Sequence, residues 1–250
     1  MVKQGLTIIF VSILFSGLLW ASTLEYNFEQ GNQLYIDGNY SGAVEEYEKI
    51  LQAGYESPQL YYNLGNAYFR DGQLGLAIAN YTRARRLSPR DDDIRANLEF
   101  AHQFAIDKIE VSEEAILLDY INNFFDSFSI NEITVVTVIL YILTVIVILA
   151  RYIYRRLYIY SPVILALIIL LSISLLFAGV KLDRDVITRT GVVLGQQVEV
   201  KNGPGDDFSE QFVAHAGLTF NIEREESGYY LVNFENRLKG WIEKSAVAEI

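Results

Sequence analysis

The chain's only histidines, His102 and His215, are the natural starting point for acid–base or metal chemistry, and neither has a second histidine at ligand spacing. Cysteine is absent, which removes thiolate ligands, disulfides and a lipoprotein acylation site. Acidic pairs such as Glu45-Glu46 and Glu113-Glu114, and the run Asp91-Asp92-Asp93, read as solvated faces or helix N-terminal charges. No glycine-rich loop opens a helix with a lysine, and Asn202-Gly203-Pro204-Gly205 reads as a turn. No motif joins a nucleophile to a base. An enzyme is therefore not expected, nor a cofactor, nor a metal site. What remains is recognition chemistry. Tyr62, Asn66 and Arg70 recur every four residues and share one face of any helix they stand on. Rings bury area while amides satisfy backbone groups, so such a face suits a peptide.

That face belongs to a repeating element. Gly31, Asn32, Gly38, Ala43 and Tyr47 return 34 residues later as Gly65, Asn66, Gly72, Ala77 and Tyr81. A 34-residue period is that of a stacked helix–turn–helix unit. Gly31 and Gly65 leave room for a close helix crossing, Gly38 and Gly72 fall in the turn, and Tyr47 and Tyr81 fill the space beside the small Ala43 and Ala77. Helices are expected near 25–37, 41–53, 58–71, 74–87 and 92–108, the last capping the stack. Ser57-Pro58 and Ser88-Pro89 mark helix boundaries. The second copy, Tyr61-Tyr62-Asn63-Leu64-Gly65-Asn66-Ala67-Tyr68 followed by Ala77, Tyr81, Ala84 and Pro89, resembles a tetratricopeptide repeat, a unit that binds other proteins.

Three apolar blocks interrupt the chain. Residues 1–22 carry Lys3 and then an uncharged run from Gly5 to Trp20, the pattern of a signal peptide or, given bulky Leu19 and Trp20, an uncleaved anchor. Residues 133–150 and 163–180 are each 18 residues without a charge, enough to cross a bilayer. The loop 151–162 between them holds Arg151, Arg155 and Arg156 and no acid, so it should face the cytoplasm and both flanking parts should face out. The segment 109–132 gathers Ile116, Leu117, Tyr120, Ile121, Phe124, Phe125 and Phe128 mostly on one face, fitting either a helix on the membrane surface or one packed on the repeats.

Residues 186–250 change to short alternating runs. Val198 and Val200, Phe220 and Ile222, and Tyr230, Val232 and Phe234 read as strands, with turns at Asn202-Gly203-Pro204-Gly205, His215-Ala216-Gly217 and Ser227-Gly228. The spacing suggests a small barrel. Val200-Lys201-Asn202-Gly203-Pro204, Gly217, Tyr229-Tyr230-Leu231-Val232 and Lys239-Gly240-Trp241-Ile242 resemble a bacterial SH3-like domain, in which Tyr229 and Trp241 are the candidate surface residues.

The expected fold class is thus a multi-domain membrane protein: an α-helical tetratricopeptide repeat domain (23–108), an amphipathic juxtamembrane segment (109–132), a transmembrane helical hairpin and a small all-β SH3-like barrel. This order of parts resembles the BatE-type proteins of bacterial aerotolerance operons. The resemblance implies residence in the bacterial cytoplasmic (inner) membrane with both soluble domains periplasmic, and as partners membrane proteins with von Willebrand factor A domains and a MoxR-type ATPase system. It implies a non-enzymatic scaffold, the alternative being a peptidoglycan-binding envelope protein that recruits or regulates a cell-wall hydrolase.

Tetratricopeptide geometry further implies a groove lined by Phe28, Asn32, Tyr35 and Ile36, then Tyr62, Asn66, Phe69 and Arg70; some of these rings could equally be core. Phe28 and Asp93 stand where a carboxylate-clamping groove would need bases, so that mode is not expected. Residues 23–129 hold 18 Asp and Glu against eight Lys and Arg, which disfavours nucleic acid. On this reading a reporter fused after Ile250 is active outside the cytoplasm and one fused after Arg156 is active inside; the opposite result at either position overturns the two-span topology.

Overall fold

The structure, a computed structural model, describes residues 23–107, 124–154, 160–234 and 238–250. The expected signal segment 1–22, most of the segment 109–132 and part of the loop 151–162 lie outside the described residues. Five helices come first: α1 (23–36), α2 (Tyr40–Gln52), α3 (Pro58–Arg70), α4 (Leu74–Leu87) and α5 (Asp92–Gln103). Their ends follow from local chemistry. Ser57 Oγ accepts from the Leu60 amide at 3.1 Å while Pro58 opens α3, and Asp91 caps α5 in the same way through the amides of Asp93 and Ile94. Gly38 and Gly72 end α1 and α3 at φ of +79° and +81°, a conformation other residues adopt only at a cost.

The small residues set how closely the helices cross. A Cβ on Gly31 would lie 2.6 Å from the Tyr47 ring, and one on Gly65 would lie 2.7 Å from the Tyr81 ring. Ala43 and Ala77 are fully buried beside them, with Leu60, Leu64 and Ile78 in the same core. Periodicity carries the fifth helix to 108, but it stops at Gln103 with Phe104 as its cap. The chain is turned there by tertiary contacts. Ala105 packs under Gly217, and Asp107 accepts from the His215 amide at 2.8 Å and meets its Nδ1 at 3.0 Å.

Helices α6 (Ile130–Ile153) and α7 (Tyr160–Leu182) lie side by side, and a short π-helical stretch, Asp183–Ile187, continues α7. Ser129 and Glu132 close a capping box at the start of α6. Each span has a mean hydropathy of 3.0 over its most apolar window, and 24 helical residues rise about 36 Å, enough for a hydrocarbon core of about 30 Å. Thr137 and Ser174 share a 2.6 Å hydroxyl contact between the helices. Outward-facing Leu149, Ile153 and Leu176 are 53%, 67% and 70% exposed, a surface that favours an apolar medium. Phe124, Phe125 and Phe128, at the end of the segment 109–132, gather round Phe177 of α7, and the Arg90 guanidinium lies 5.8 Å over the Phe128 ring, so this end touches both the hairpin and the loop that follows α4.

Seven antiparallel strands follow: β1 (Thr190–Val193), β2 (Val198–Lys201), β3 (Glu210–Ala214), β4 (Thr219–Glu226), β5 (Tyr229–Phe234), β6 (Lys239–Glu243) and β7 (Val247–Glu249). Their order is β3-β2-β6-β5-β4-β1-β7. The sheet is open: β3 and β7 stand at its ends, and no pairing among the described residues joins them into the expected barrel. Ser227 and Gly228, both at positive φ, form the two-residue turn that suits the twist of the β4–β5 hairpin. Val200, Phe220, Val232, Phe234 and Ile242 fill one core.

Sheet and repeats are joined at β1. Val193 belongs to the sheet core, whereas its neighbour Val192, pointing the other way, is fully buried among the residues of the helical core. The strand approaches α4 closely only because residue 75 is glycine: a Cβ there would lie 2.4 Å from the Val193 carbonyl oxygen and 2.8 Å from Leu194 Cα. Neither backbone atom can move aside alone. Gly75→Ala is therefore expected to cost about 1–3 kcal/mol and to raise hydrogen exchange along β1, as read by denaturant unfolding and exchange mass spectrometry. Unchanged exchange would mean that β1 does not seat on α4.

Candidate functional site

The first-helix residues of the repeats divide into those that hold the stack and those left to face solvent. Asn32 Oδ1 accepts from Tyr47 Oη at 2.7 Å and from Asn63 Nδ2 at 2.9 Å. One repeat on, Asn66 Oδ1 accepts from Tyr81 Oη at 2.7 Å and from Asn97 Nδ2 at 2.9 Å. Each asparagine thus clasps its own second helix and the first helix of the next unit. Burial pushes the Tyr47 hydroxyl up to about 12, against the bond with Asn63 that lowers it, and burial raises Tyr81 as well. Both phenols remain protonated donors across the physiological range, as the clasp requires.

Phe28 packs on Tyr47 and Tyr62 on Tyr81 at centroid distances of 5.9 and 6.1 Å, and the Tyr62 hydroxyl accepts from Asn97 at 3.0 Å. These rings form the floor of the face. Its rim is built differently. Tyr35 meets Tyr40 edge-on at 5.3 Å, and the exposed Arg70 guanidinium lies 4.7 Å over the Tyr40 ring. Phe69 stands at 5.7 Å from Phe100 and 5.4 Å from Phe104, two rings that are 49% and 56% exposed. Ile36 is 75% exposed.

Phe100 and Phe104 stand outside the expected groove because the apolar spacing of α5 reads as that of a cap. The signal was nonetheless present. Phe100 and Phe104 lie 34 residues after Asn66 and Arg70, and Asn97 lies 34 after Asn63. Leu98 and Ala101 likewise repeat Leu64 and Ala67. Helix α5 repeats the residue pattern of α3, and its bond to Asn66 repeats that of Asn63 to Asn32.

Arginines of α4 and of the loop after it reach segments distant in sequence. Arg83 donates to the Glu249 carbonyl, and Arg86 donates to the Ile250 carbonyl at 2.8 Å and Thr190 Oγ1 at 2.7 Å. Burial lowers the Arg86 pKa, although nearby Asp185 opposes the shift. Arg90 donates to the Ser127 carbonyl at 3.2 Å and pairs with Glu132, tying the repeats to the start of α6. His102 is exposed on α5, and His215 meets Asp107, so the two histidines do not converge.

Tyr229 and Trp241, expected on a surface, are only 9% and 6% exposed. The Tyr229 hydroxyl donates to Asp206 at 2.7 Å with Lys201 over its ring, and the Arg224 guanidinium covers Trp241 at 5.0 Å. Cross-strand neighbours close over both rings, which alternation along single strands cannot reveal.

Residues 58–91 match the tetratricopeptide repeat family. No curated protein matches the chain. The matched segment is the α3–α4 pair, a repeat of a kind that suggests protein–protein interaction, with two apolar helices and an antiparallel sheet attached to it. Because the Asn66 oxygen accepts two bonds, Asn66→Ala is expected to destabilise the protein by about 1–3 kcal/mol, whereas Arg70→Gln, which loses only a ring contact, costs less than about 1 kcal/mol. Thermal unfolding of the two variants checks the difference; equal melting temperatures would remove Asn66 from the stack.

Proposed function

We propose that the chain is a non-enzymatic, membrane-anchored scaffold whose repeat groove holds a segment of another protein beside the bilayer. The observation that carries this reading is the cluster of half-buried Phe69, on the first helix of the matched repeat, with the exposed rings of Phe100 and Phe104 from α5 and its cap. Three rings at 5.0–5.7 Å, with Arg70 nearby on the same helix, offer an apolar anchor and a polar rim, the usual make-up of a binding hot spot. Tyr35 and Tyr40 extend the rim, while Phe28, Asn32, Tyr62 and Asn66 hold it rigid from below. A pre-ordered groove loses less conformational entropy when a peptide docks.

The anchoring rests on the apolar hairpin, and the connector arginines favour a cytoplasmic loop with the repeats and the sheet outside the inner membrane. The order of export segment, repeats, hairpin and terminal β module supports a Bat-type assembly, with von Willebrand factor A membrane proteins and a MoxR-type ATPase system as its partners. The glycine, tyrosine and Gly-Trp-Ile elements of the terminal sheet support an SH3-like relationship. The test uses the full chain in detergent. Phe104→Ala and Arg70→Glu are expected to weaken capture of the neighbouring von Willebrand factor A proteins by roughly thirtyfold, the loss of about 2 kcal/mol typical of one anchor, with helicity by circular dichroism unchanged. Undiminished capture by folded variants would move recognition off this groove.

A further inference from the structure

A cavity of about 620 Å³ lies where the repeats, the hairpin and the sheet meet. Its volume is that of a small-molecule site. Helix α4 supplies Arg85 and Arg86, the end of α7 supplies Lys181, and the π-helical stretch supplies Arg184. Two carboxylates face them, Asp126 and Asp185. Lys181, 3% exposed at its side chain, is 3.1 Å from Asp185 and 3.7 Å from Asp126, and Arg184 is 3.1 Å from Asp126. Both carboxylates are thereby engaged by Lys181 and Arg184. Arg86 bonds the Thr190 hydroxyl and an oxygen of Ile250, and Arg85 makes no hydrogen bond or ion pair among the described residues.

Arg85 is therefore a cation on the wall with no anionic partner among the described residues, and Arg86 stands beside it. Thr188, Thr219 and Asn221 add neutral donors from the opposite side. Half-buried guanidinium groups with hydroxyl and amide donors suit a tetrahedral oxyanion, because several N–H and O–H groups can each address a different oxygen. The position adds a second constraint. Lys181 and Asp185 stand where the apolar run of α7 ends, the level at which lipid phosphates lie if the hairpin crosses a bilayer.

We propose that this junction cavity binds a phosphate group, with Arg85 and Arg86 as its principal contacts. The group is either the headgroup of an anionic phospholipid or a soluble phosphate. The lipid source rests on the membrane-anchored reading above; the soluble source does not. A phosphate held there would bridge α4, α7 and β1, and so brace both soluble parts against the hairpin.

The full chain in detergent is mixed with phosphatidylglycerol or phosphatidylcholine and followed by native mass spectrometry, and separately titrated with inorganic phosphate or glycerol 3-phosphate and followed by thermal unfolding. Arg85→Gln is the test variant, since Arg85 holds no other group in place; Arg95→Gln, on the exposed side of α5 and paired with Asp92, is the control. Retention of phosphatidylglycerol over phosphatidylcholine that falls about tenfold in Arg85→Gln but not in Arg95→Gln identifies a headgroup site. Stabilisation by soluble phosphate with the same dependence on Arg85 identifies a soluble anion. Equal retention of the two lipids with no phosphate effect, or binding untouched by Arg85→Gln, overturns the proposal. Carbonate extraction tests the anchor independently: release of the chain would end the membrane reading and leave the soluble-phosphate arm standing.

Discussion

The contact between Gly75 of α4 and the backbone of Val193 and Leu194 is the constraint on which the assembly depends. It lets strand β1 lie against a helix with both of its faces covered, Val192 in the helical core and Val193 in the sheet core. A strand buried on both faces has strong reason to stay in register, since a one-residue slip would exchange the residues of the two cores. Once β1 is seated, β7 follows beside it, and Arg83 and Arg86 can reach the carbonyls of Glu249 and Ile250. The Gly217 turn then lies on Ile78 and Ala105, which ends α5 early. A single absent side chain thus permits a union of two modules.

Within the repeats the stiffness comes from polar groups rather than apolar area alone. Buried phenol and amide pairs must be satisfied, and each asparagine oxygen here accepts both a tyrosine and the next asparagine. Because the same clasp occurs twice at the same spacing, neighbouring first helices are held in one fixed relation. That fixed relation keeps Phe100 and Phe104 against half-buried Phe69 with their own rings in solvent, when a hydrophobic cluster would otherwise be expected to collapse inward. The rigidity of the floor and the exposure of the rim are two consequences of one hydrogen-bond pattern.

The hairpin meets both soluble parts at one end. Arg90 holds Glu132 and the Ser127 carbonyl at the start of α6, and Lys181 with Arg184 engages Asp126 and Asp185 at the end of α7. The charged groups collect at that end because the rest of each helix is apolar and mostly exposed. Charges forced into so small a region must be paired or find a counterion, and Arg85 of α4 is the one left without an anionic partner among the described residues.

Much of this was legible in the sequence. Helix periods, the 34-residue echo, the turn glycines, the two apolar spans and the strand alternation all arise from neighbours along the chain, and residues 58–91 match the family that the motif suggested. The likeness of α5 to α3 was legible too, through Asn97, Leu98, Ala101, Phe100 and Phe104 at the 34-residue spacing. Other features had no local signal. Arg86 lies far in sequence from Thr190 and Ile250, as Asp107 does from His215, and no periodicity records such pairs. The burial of Tyr229 and Trp241 depends on which strands pair and which side chains cross over them, and the open strand order depends on pairings that alternation leaves undetermined. The sequence by itself determined the elements and their apolar faces, because those are short-range properties of the backbone. Only the tertiary structure decided which faces meet, because that choice rests on the close approach of segments remote along the chain.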